Sequence, residues 1–534
     1  MNPLSTQPQS PLVVAPRIKL LAAFERPYEQ AVAAARTCYS GAGVLTVDQV
    51  SGVGLPADKQ QARIELRDRI AASTYKAGHH TTLQHGYLSF ALDGVSRQLV
   101  WSTLHSHPFY NSEQVSQRYV EVKPERAAIP LLPPQADAVY RACIDRQLAD
   151  YKQLICLLEP HAEARYFEVF KARGKKPEKW LPAIHKRAQE VARYVLPVAT
   201  HTWMVHTISL VTLLRYWRLC EEPDCPAETR YVVGEMVRQA LQLDPLLGRL
   251  EVEPLPHDLL PAALRQSKGL DLDRQRRMVA EFDAELGSRT SLLVDRFADN
   301  PRRVADAVRL VLGMPRADLS DEAAIGVALD PAQNPLWGES LQTGVHQKLG
   351  RALHAAHYLF AKKLSHAADS QDQRHRMAPG SRPMLLGYLG EAPDYVVPQL
   401  VAEAGGAVAQ AYATSMEQTW AAIGQLRGLG VDPQWQAYLL PNAVSIRFSE
   451  SADLQALRHK HAMRLCYNAQ EEIWRASLDE AEQIRAAEPA IGRHLLPPCS
   501  VRFAAGVRPI CPEGDRYCGT PVWLLAAQDW RRTL

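Results

Sequence analysis

HGYLSFALDGVSR, residues 85–97, and HAAHYLFAKKLSH, residues 354–366, share a spacing: His85 precedes Ser96 by eleven positions, and His354 precedes Ser365 by eleven. In the first, Tyr87–Leu92 (YLSFAL) alternates with the period of two expected of a half-buried strand. Working outward, each stretch is followed about ten residues later by a histidine, His107 in HSHPF and His375 in QRHRM. Each then reaches a helical stretch that closes on Leu-Pro, ARYVLP at 192–197 and AYLLP at 437–441. Each ends on an arginine before Leu-Cys, Arg218 in WRLC and Arg464 in MRLC. Four landmarks in one order predict a tandem duplication, and the unequal lengths between them mark two repeats that have diverged far.

Helical periodicity places helices at Pro27–Tyr39, whose proline suits a first turn, and at Arg63–Lys76, Ala138–Leu158, Pro177–Val195 and Glu228–Leu243. Ala443–Phe448 (AVSIRF) reads as another strand. The proline-rich stretch 244–271 predicts a linker, after which a helical pattern resumes at Asp273–Leu286. The expected division is a disordered tail over 1–17, a first repeat over 18–243, a linker over 244–271, a second repeat over 272–485 and a cysteine-containing extension over 486–534.

The 534 residues suffice for two or three domains, and 46% hydrophobic with 22% charged residues are globular proportions. With 61 basic against 58 acidic residues the net charge is +3, which argues against a nucleic-acid polymer or an anionic membrane as partner. Phosphate chemistry on such a chain needs a local cluster of arginines. No run approaches the roughly 20 apolar residues of a membrane span. The Pro-, Ser- and Gln-rich start lacks the basic and apolar regions of a signal peptide. Nine thinly spread cysteines suit a reducing compartment, so a cytoplasmic protein is expected.

Two polar runs carry candidate chemistry. Gln114, Ser116, Gln117 and Arg118, within NSEQVSQRYV at 111–120, put amide, hydroxyl and guanidinium groups in one short segment able to cradle an anion. A solvated turn before a strand would also read this way. Gln371, Arg374, His375 and Arg376 (QDQRHR) offer an amide and three cationic or titratable groups, and such a run also suits a helix end facing water.

Taken together these segments resemble the flavin-dependent thymidylate synthases. Gly78–Leu99 is similar to the stretch leading into that family's signature, which is Arg-His-Arg, seven residues, Ser, one residue, Arg and Tyr. SQRY at 116–119 matches its end and QRHR at 373–376 its beginning; Ala452–Ile473 resembles the helix carrying the pyrimidine-facing arginine. The first repeat has Ser106-His107-Pro108 at the Arg-His-Arg position, while the second has Met384 and Leu386 in place of the signature's Ser and Arg. Arg193, in ARYVLP, matches a substrate-binding arginine whose second-repeat counterpart is Ala437. Each repeat has lost what the other retains, which favours one functional composite site over a dead relic.

The resemblance implies an α+β fold, helices packed on an antiparallel sheet, in two copies related by a pseudo-two-fold axis. It implies reductive methylation of dUMP to dTMP by an FAD enzyme, a methyltransferase using methylenetetrahydrofolate and NADPH. The dUMP site would comprise Gln114, Ser116, Gln117, Arg118, Arg193, Gln371, Arg374 and Arg464, with Arg464 catalytic at the uracil face. FAD would be met by His79, Thr81, Arg374, His375 and Arg376. The second-repeat helix departs from the family, offering Asp453, Gln455, His459 and Asn468 where Asn, Arg, Asn and His are usual. That departure leaves room for another pyrimidine nucleotide as substrate, or for a non-catalytic nucleotide-binding protein. A family tetramer translates into a homodimer of duplicated chains. In the extension, His494, Cys499, Cys511 and Cys518 offer a ligand set for a structural zinc, although no Cys-x-x-Cys pair is present and ordinary cysteines would read the same way.

Overall fold

The computed structural model describes residues 8–123, 125–250, 253–266 and 271–532. Its eight strands are β1 (Arg17–Ala23), β2 (Tyr87–Ser96), β3 (Asn111–Gln114), β4 (His201–Ser209), β5 (Ser291–Arg296), β6 (His357–Ser365), β7 (Gly380–Ser381) and β8 (Ser445–Asp453). They form two four-stranded antiparallel sheets with one connection scheme, β1-β2-β4-β3 and β5-β6-β8-β7. Around them pack α1 (Pro27–Thr37), α2 (Pro134–Val169), α3 (Leu181–Ala192), α4 (Leu210–Leu219), α5 (Ala227–Leu243), α6 (His366–Asp372), α7 (Gly406–Gly428), α8 (Leu454–Arg464) and α9 (Glu471–Ala487). The fold is therefore α+β, built from two repeats.

The paired motifs are the central strands of the two sheets. In β2, Leu88, Phe90 and Leu92 are buried on one face, as period-two alternation requires; in β6, Tyr358, Phe360 and Leu364 are buried likewise. Lys362 takes a core position of β6 and is neutralised there by Asp372, Glu450 and Glu480, with Lys460 and His461 in the same buried network. Ser96 and Ser365 end their strands as N-caps: each hydroxyl accepts a 3.0 Å bond, from Leu99 N and Ala368 N. After Ser96 the chain makes a wide π-helical turn, Val100–Leu104; after Ser365 it makes α6.

The two Leu-Pro steps meet each other. Val198 N donates to Leu440 O at 2.9 Å and Asn442 N to Leu196 O at 2.8 Å. Ala199 N donates to Tyr438 O and Ala443 N to Tyr194 O, both at 2.9 Å. This pairing explains why β8 starts at Ser445 rather than at Ala443: the backbone of Ala443 and Val444 is already committed. The larger core runs through both repeats, from Tyr140 and Leu154 of α2 to Met416 and Ile423 of α7, so the repeats bury apolar surface jointly.

Two boundaries differ from expectation. Residues 1–7 of the predicted tail lie outside the described part, but Leu12 is buried and Val13 N bonds Ile129 O, so the end of that segment is tied to the fold. The predicted linker begins as part of the first repeat, with Leu247 and Leu250 in its core; residues 251–252 and 267–270 lie outside the described part. Among the described residues no helix is long and apolar enough to cross a membrane.

Candidate functional site

Four short pieces of chain converge. The turn after β3 carries Arg118, the end of α3 carries Arg193, the end of α6 carries Gln371 and Arg374, and the end of α8 carries Arg464, with Gln470 in the connection to α9. Arg118 donates through Nε to Glu190 Oε1 at 2.9 Å and through Nη2 to the Asn468 carbonyl at 2.6 Å. Arg193 donates through Nη2 to Gln470 Oε1 at 2.8 Å and through Nε to the Glu190 carbonyl at 3.1 Å. Gln371 Nε2 donates to that same Gln470 oxygen. Arg464 donates through Nε to His375 Nε2 and through Nη2 to the Gln371 carbonyl, both at 2.8 Å. Arg374 reaches Glu113 of the first repeat at 3.3 Å. The two repeats of one chain thus bring together the residues each has retained.

The charge balance of this cluster suits an anion. Burial, together with the charges of Arg374 and Arg118, lowers the Arg464 guanidinium to about 10 despite the nearby Asp372. Burial, and Arg193 beside it, lower Arg97 to about 9. Burial and Arg464 hold His375 well below its usual value, so its Nε2 is a neutral acceptor for the Arg464 donor. Burial alone would raise Glu190, but Arg118 and Arg187 hold it down at about 2. Arg97 Nε, Gln114 Oε1 and Gln117 Nε2 are buried without a partner among the described residues. Such groups leave hydrogen-bonding capacity for a bound molecule.

The remaining expected residues fall in several settings. Gln114 sits on β3 opposite Met204, and Ser116 Oγ accepts from Arg118 N at 3.3 Å. Gln117 is buried and accepts from Asn442 Nδ2 of the second repeat at 3.2 Å. Arg374 and Arg376 are exposed, Arg376 lying 5.3 Å over the Tyr110 ring of the first repeat. His79, just before the first repeat's 3-10 turn His80–His85, and Thr81 within it are also exposed, with no hydrogen bond or ring contact to the Arg374–Arg376 tripeptide among the described residues. On α8, Gln455 donates to the Val345 and Gly350 carbonyls and His459 contacts Gln342 Oε1, so these side chains are engaged by their own repeat. Asp453 caps α8 and bonds His354.

The zinc set is corrected. Among the described residues no group of three or more His, Cys, Asp or Glu side chains is placed to hold a metal ion. His494 turns toward Arg493, whose Nε donates to its Nε2 at 3.1 Å. Glu190, Gln470 and Arg97 were missed by sequence reasoning. Glu190 stands three residues before Arg193 in QEVARY, the spacing that puts two helical residues on one face, and this was the available signal.

Comparison with known proteins agrees with the geometry. A family model described as thymidylate synthase complementing protein matches twice, over residues 19–246 and 292–490. A flavin-dependent thymidylate synthase of Clostridium tetani (strain Massachusetts / E88) is 24% identical over 237 residues, covering 43% of this chain and 84% of that protein. One from Mycobacterium sp. (strain JLS) is 26% identical over 188 residues, 34% of this chain and 68% of the relative. One from Mycobacterium tuberculosis (strain ATCC 25177 / H37Ra) is 28% identical over 170 residues, 32% of this chain and 63% of the relative.

Proposed function

Because this chain belongs to the thymidylate synthase complementing protein family, in two tandem copies, we propose that it is a flavin-dependent thymidylate synthase with a composite dUMP site. The observation that carries the reading is Gln470, whose Oε1 accepts from Arg193 of the first repeat and from Gln371 of the second, joining the two retained half-sites. Arg118 and Arg193 bind the nucleotide phosphate, with Ser116 and the Gln117 backbone beside them. Arg374 and Gln371 hold the nucleoside end. Arg464 is fixed by neutral His375 and the Gln371 carbonyl so that its guanidinium stabilises negative charge developing at N3 and O2 of the uracil ring.

The residues for a flavin fit in part. Arg374 and Arg376 are exposed cations beside buried His375, suited to an anionic or electron-rich group. When bound, the flavin supplies the hydride for reducing the transferred carbon. Methylenetetrahydrofolate is the carbon donor and NADPH the source of reducing equivalents. His79 and Thr81 complete the flavin contacts from a second copy of the chain, which supports a homodimer. The reciprocal bonds at Pro197 and Pro441 support a pseudo-two-fold relation of the repeats, and nine free cysteines support a cytoplasmic setting.

The test is the absorption spectrum of purified protein together with dUMP titration and tritium release from 5-tritiated dUMP. Flavin bands, dUMP binding and folate-dependent tritium release are expected. Flavin bands without tritium release would favour modification of another pyrimidine nucleotide, a reading that the altered α8 face supports. Absence of both would leave a non-catalytic binding protein.

A further inference from the structure

A cleft of about 450 Å³ opens beside Arg118, within the size range of ligand pockets. Its walls carry Arg118, Lys179, Lys186, Arg187 and Arg516, with Trp180 between them. Two acids also line it, Glu190 and Asp515, but Glu190 is already engaged by Arg118 at 2.9 Å and Arg187 at 3.3 Å. Among the described residues, Lys179, Lys186 and Arg516 have no carboxylate within ion-pair distance. Five cations around one concavity are a local excess on a chain whose basic and acidic residues nearly balance.

The excess has two sources. One is the run Lys171–Arg187, with Lys171, Arg173, Lys175, Lys176, Lys179, Lys186 and Arg187 against Glu178 alone. The other is the extension beyond residue 490, where the family match ends. Its Arg516 is fixed by a bond from Asn468 Nδ2 to the Arg516 carbonyl, and its guanidinium lies 5.4 Å over the Tyr119 ring. An adjoining cleft of about 150 Å³ shares Trp180, Arg187, Asn468, Asp515 and Arg516 and adds Arg173, whose guanidinium lies 4.1 Å over the Phe170 ring and 4.2 Å over the Trp180 ring. A cationic path therefore leads outward from Arg118 through Arg187 and Arg516 to Arg173. A monophosphate seated at Arg118 and Arg193 leaves it unused.

We infer that this path receives the further phosphates of a nucleoside di- or triphosphate, which occupies the site with its innermost phosphate at Arg118 and competes there with the monophosphate substrate. The inference rests on the proposed function for the placing of that innermost phosphate.

The experiment is calorimetric titration of the full chain with dUMP, dUDP, dUTP and inorganic tripolyphosphate. It is repeated on the double variant Lys186→Gln/Arg516→Gln, whose two side chains are exposed and take no part in the composite site. On the wild-type chain dUTP binds at least about tenfold tighter than dUMP, and the variant loses that gain while binding dUMP as before. Equal affinity for dUMP and dUTP overturns the inference, as does a triphosphate gain that survives in the variant; neither result touches the proposed function. If no uridine nucleotide binds, the proposed function fails and tripolyphosphate decides alone. Binding by the wild-type chain that the variant loses supports the anion path, and indifference to the variant rejects it.

Discussion

Tyr438 of the second repeat donates a hydrogen bond to Glu228 of the first at 2.7 Å, and Tyr194 of the first donates to Glu472 of the second at 2.5 Å. Each glutamate also accepts from the serine at the end of its own central strand, Glu228 from Ser96 and Glu472 from Ser365. The two triads cross the junction in opposite directions, and all six residues are buried. Replacing Tyr438 or Tyr194 with Phe leaves a buried carboxylate short of a donor. Each change should cost about 1–3 kcal/mol in urea unfolding. A loss under half of that in both variants would show that the triads do not stabilise the junction.

Arg118→Ala and Arg374→Ala should each weaken dUMP binding by about 2 kcal/mol, roughly thirtyfold, through loss of a charge-assisted partner. Arg382, which lies where the degenerate second-repeat signature would have ended, looks like a harmless control from sequence. It is not one. It holds buried Asp369 through two guanidinium nitrogens at 2.7–2.9 Å, and Trp101 Nε1 of the first repeat donates to the same carboxylate at 2.7 Å. Arg382→Ala should destabilise the fold by about 3–5 kcal/mol. Intact thermal stability in this variant would contradict that reading.

The duplication, the strand at Tyr87–Leu92 and six helical stretches, among them those of α1, α2, α3 and α5, were legible because period-two and period-3.6 patterns are local properties of the chain, whereas α4, α6, α7 and α9 were not read. The paired His and Ser spacings marked β2 and β6 with their caps, although the reason for Ser96 and Ser365 lies in Glu228 and Glu472, more than one hundred residues away. The arginines of the site were legible through resemblance. Gln470 was not, because an amide becomes a junction only when the fold brings Arg193 and Gln371 to it. The zinc reading failed for a related reason: Cys and His in one proline-rich segment do not fix where their side chains point.

Arg464→Lys should lower turnover more than binding. Lysine keeps the charge but cannot donate to both His375 and the Gln371 carbonyl while facing a ring, and the lost interaction strengthens as negative charge develops. A drop of ~100-fold in kcat with dUMP affinity within a few-fold is the expected split in single-turnover tritium release. Equal losses in both would assign Arg464 to ground-state binding.

Acid should loosen the Arg118 corner. The Glu190 carboxyl is held at about 2 in the folded chain, below its ordinary 4.5. A depressed carboxyl stabilises the fold above the unfolded pKa and loses that contribution as pH falls through the folded one, here between about 4.5 and 2. The contribution is on the order of 3 kcal/mol for this buried pair. In Arg118→Ala the partner is gone, so the Glu190 contribution is already missing at neutral pH and the variant's stability should change less than the wild type's as pH falls below about 4.5. Urea midpoints followed from pH 6 to pH 2.5 read the difference, and superimposable profiles would rule out the pair as a source of acid sensitivity.

If His79 and Thr81 serve the Arg374–Arg376 tripeptide of a second copy, two different inactive variants should rescue each other. His79→Ala removes the contact from one side and Arg376→Ala from the other, and each homodimer then carries two damaged flavin sites. A heterodimer pairs the intact Arg376 of one chain with the intact His79 of the other, leaving one site whole and one doubly damaged. Equal mixing with free exchange makes half of the dimers mixed, so flavin content and activity should recover to about a quarter of wild type. Light scattering should give twice the chain mass for all samples. Recovery no greater than the average of the two variants, in a sample shown to contain mixed dimers, would place the whole flavin site within one chain and remove the argument for a second copy.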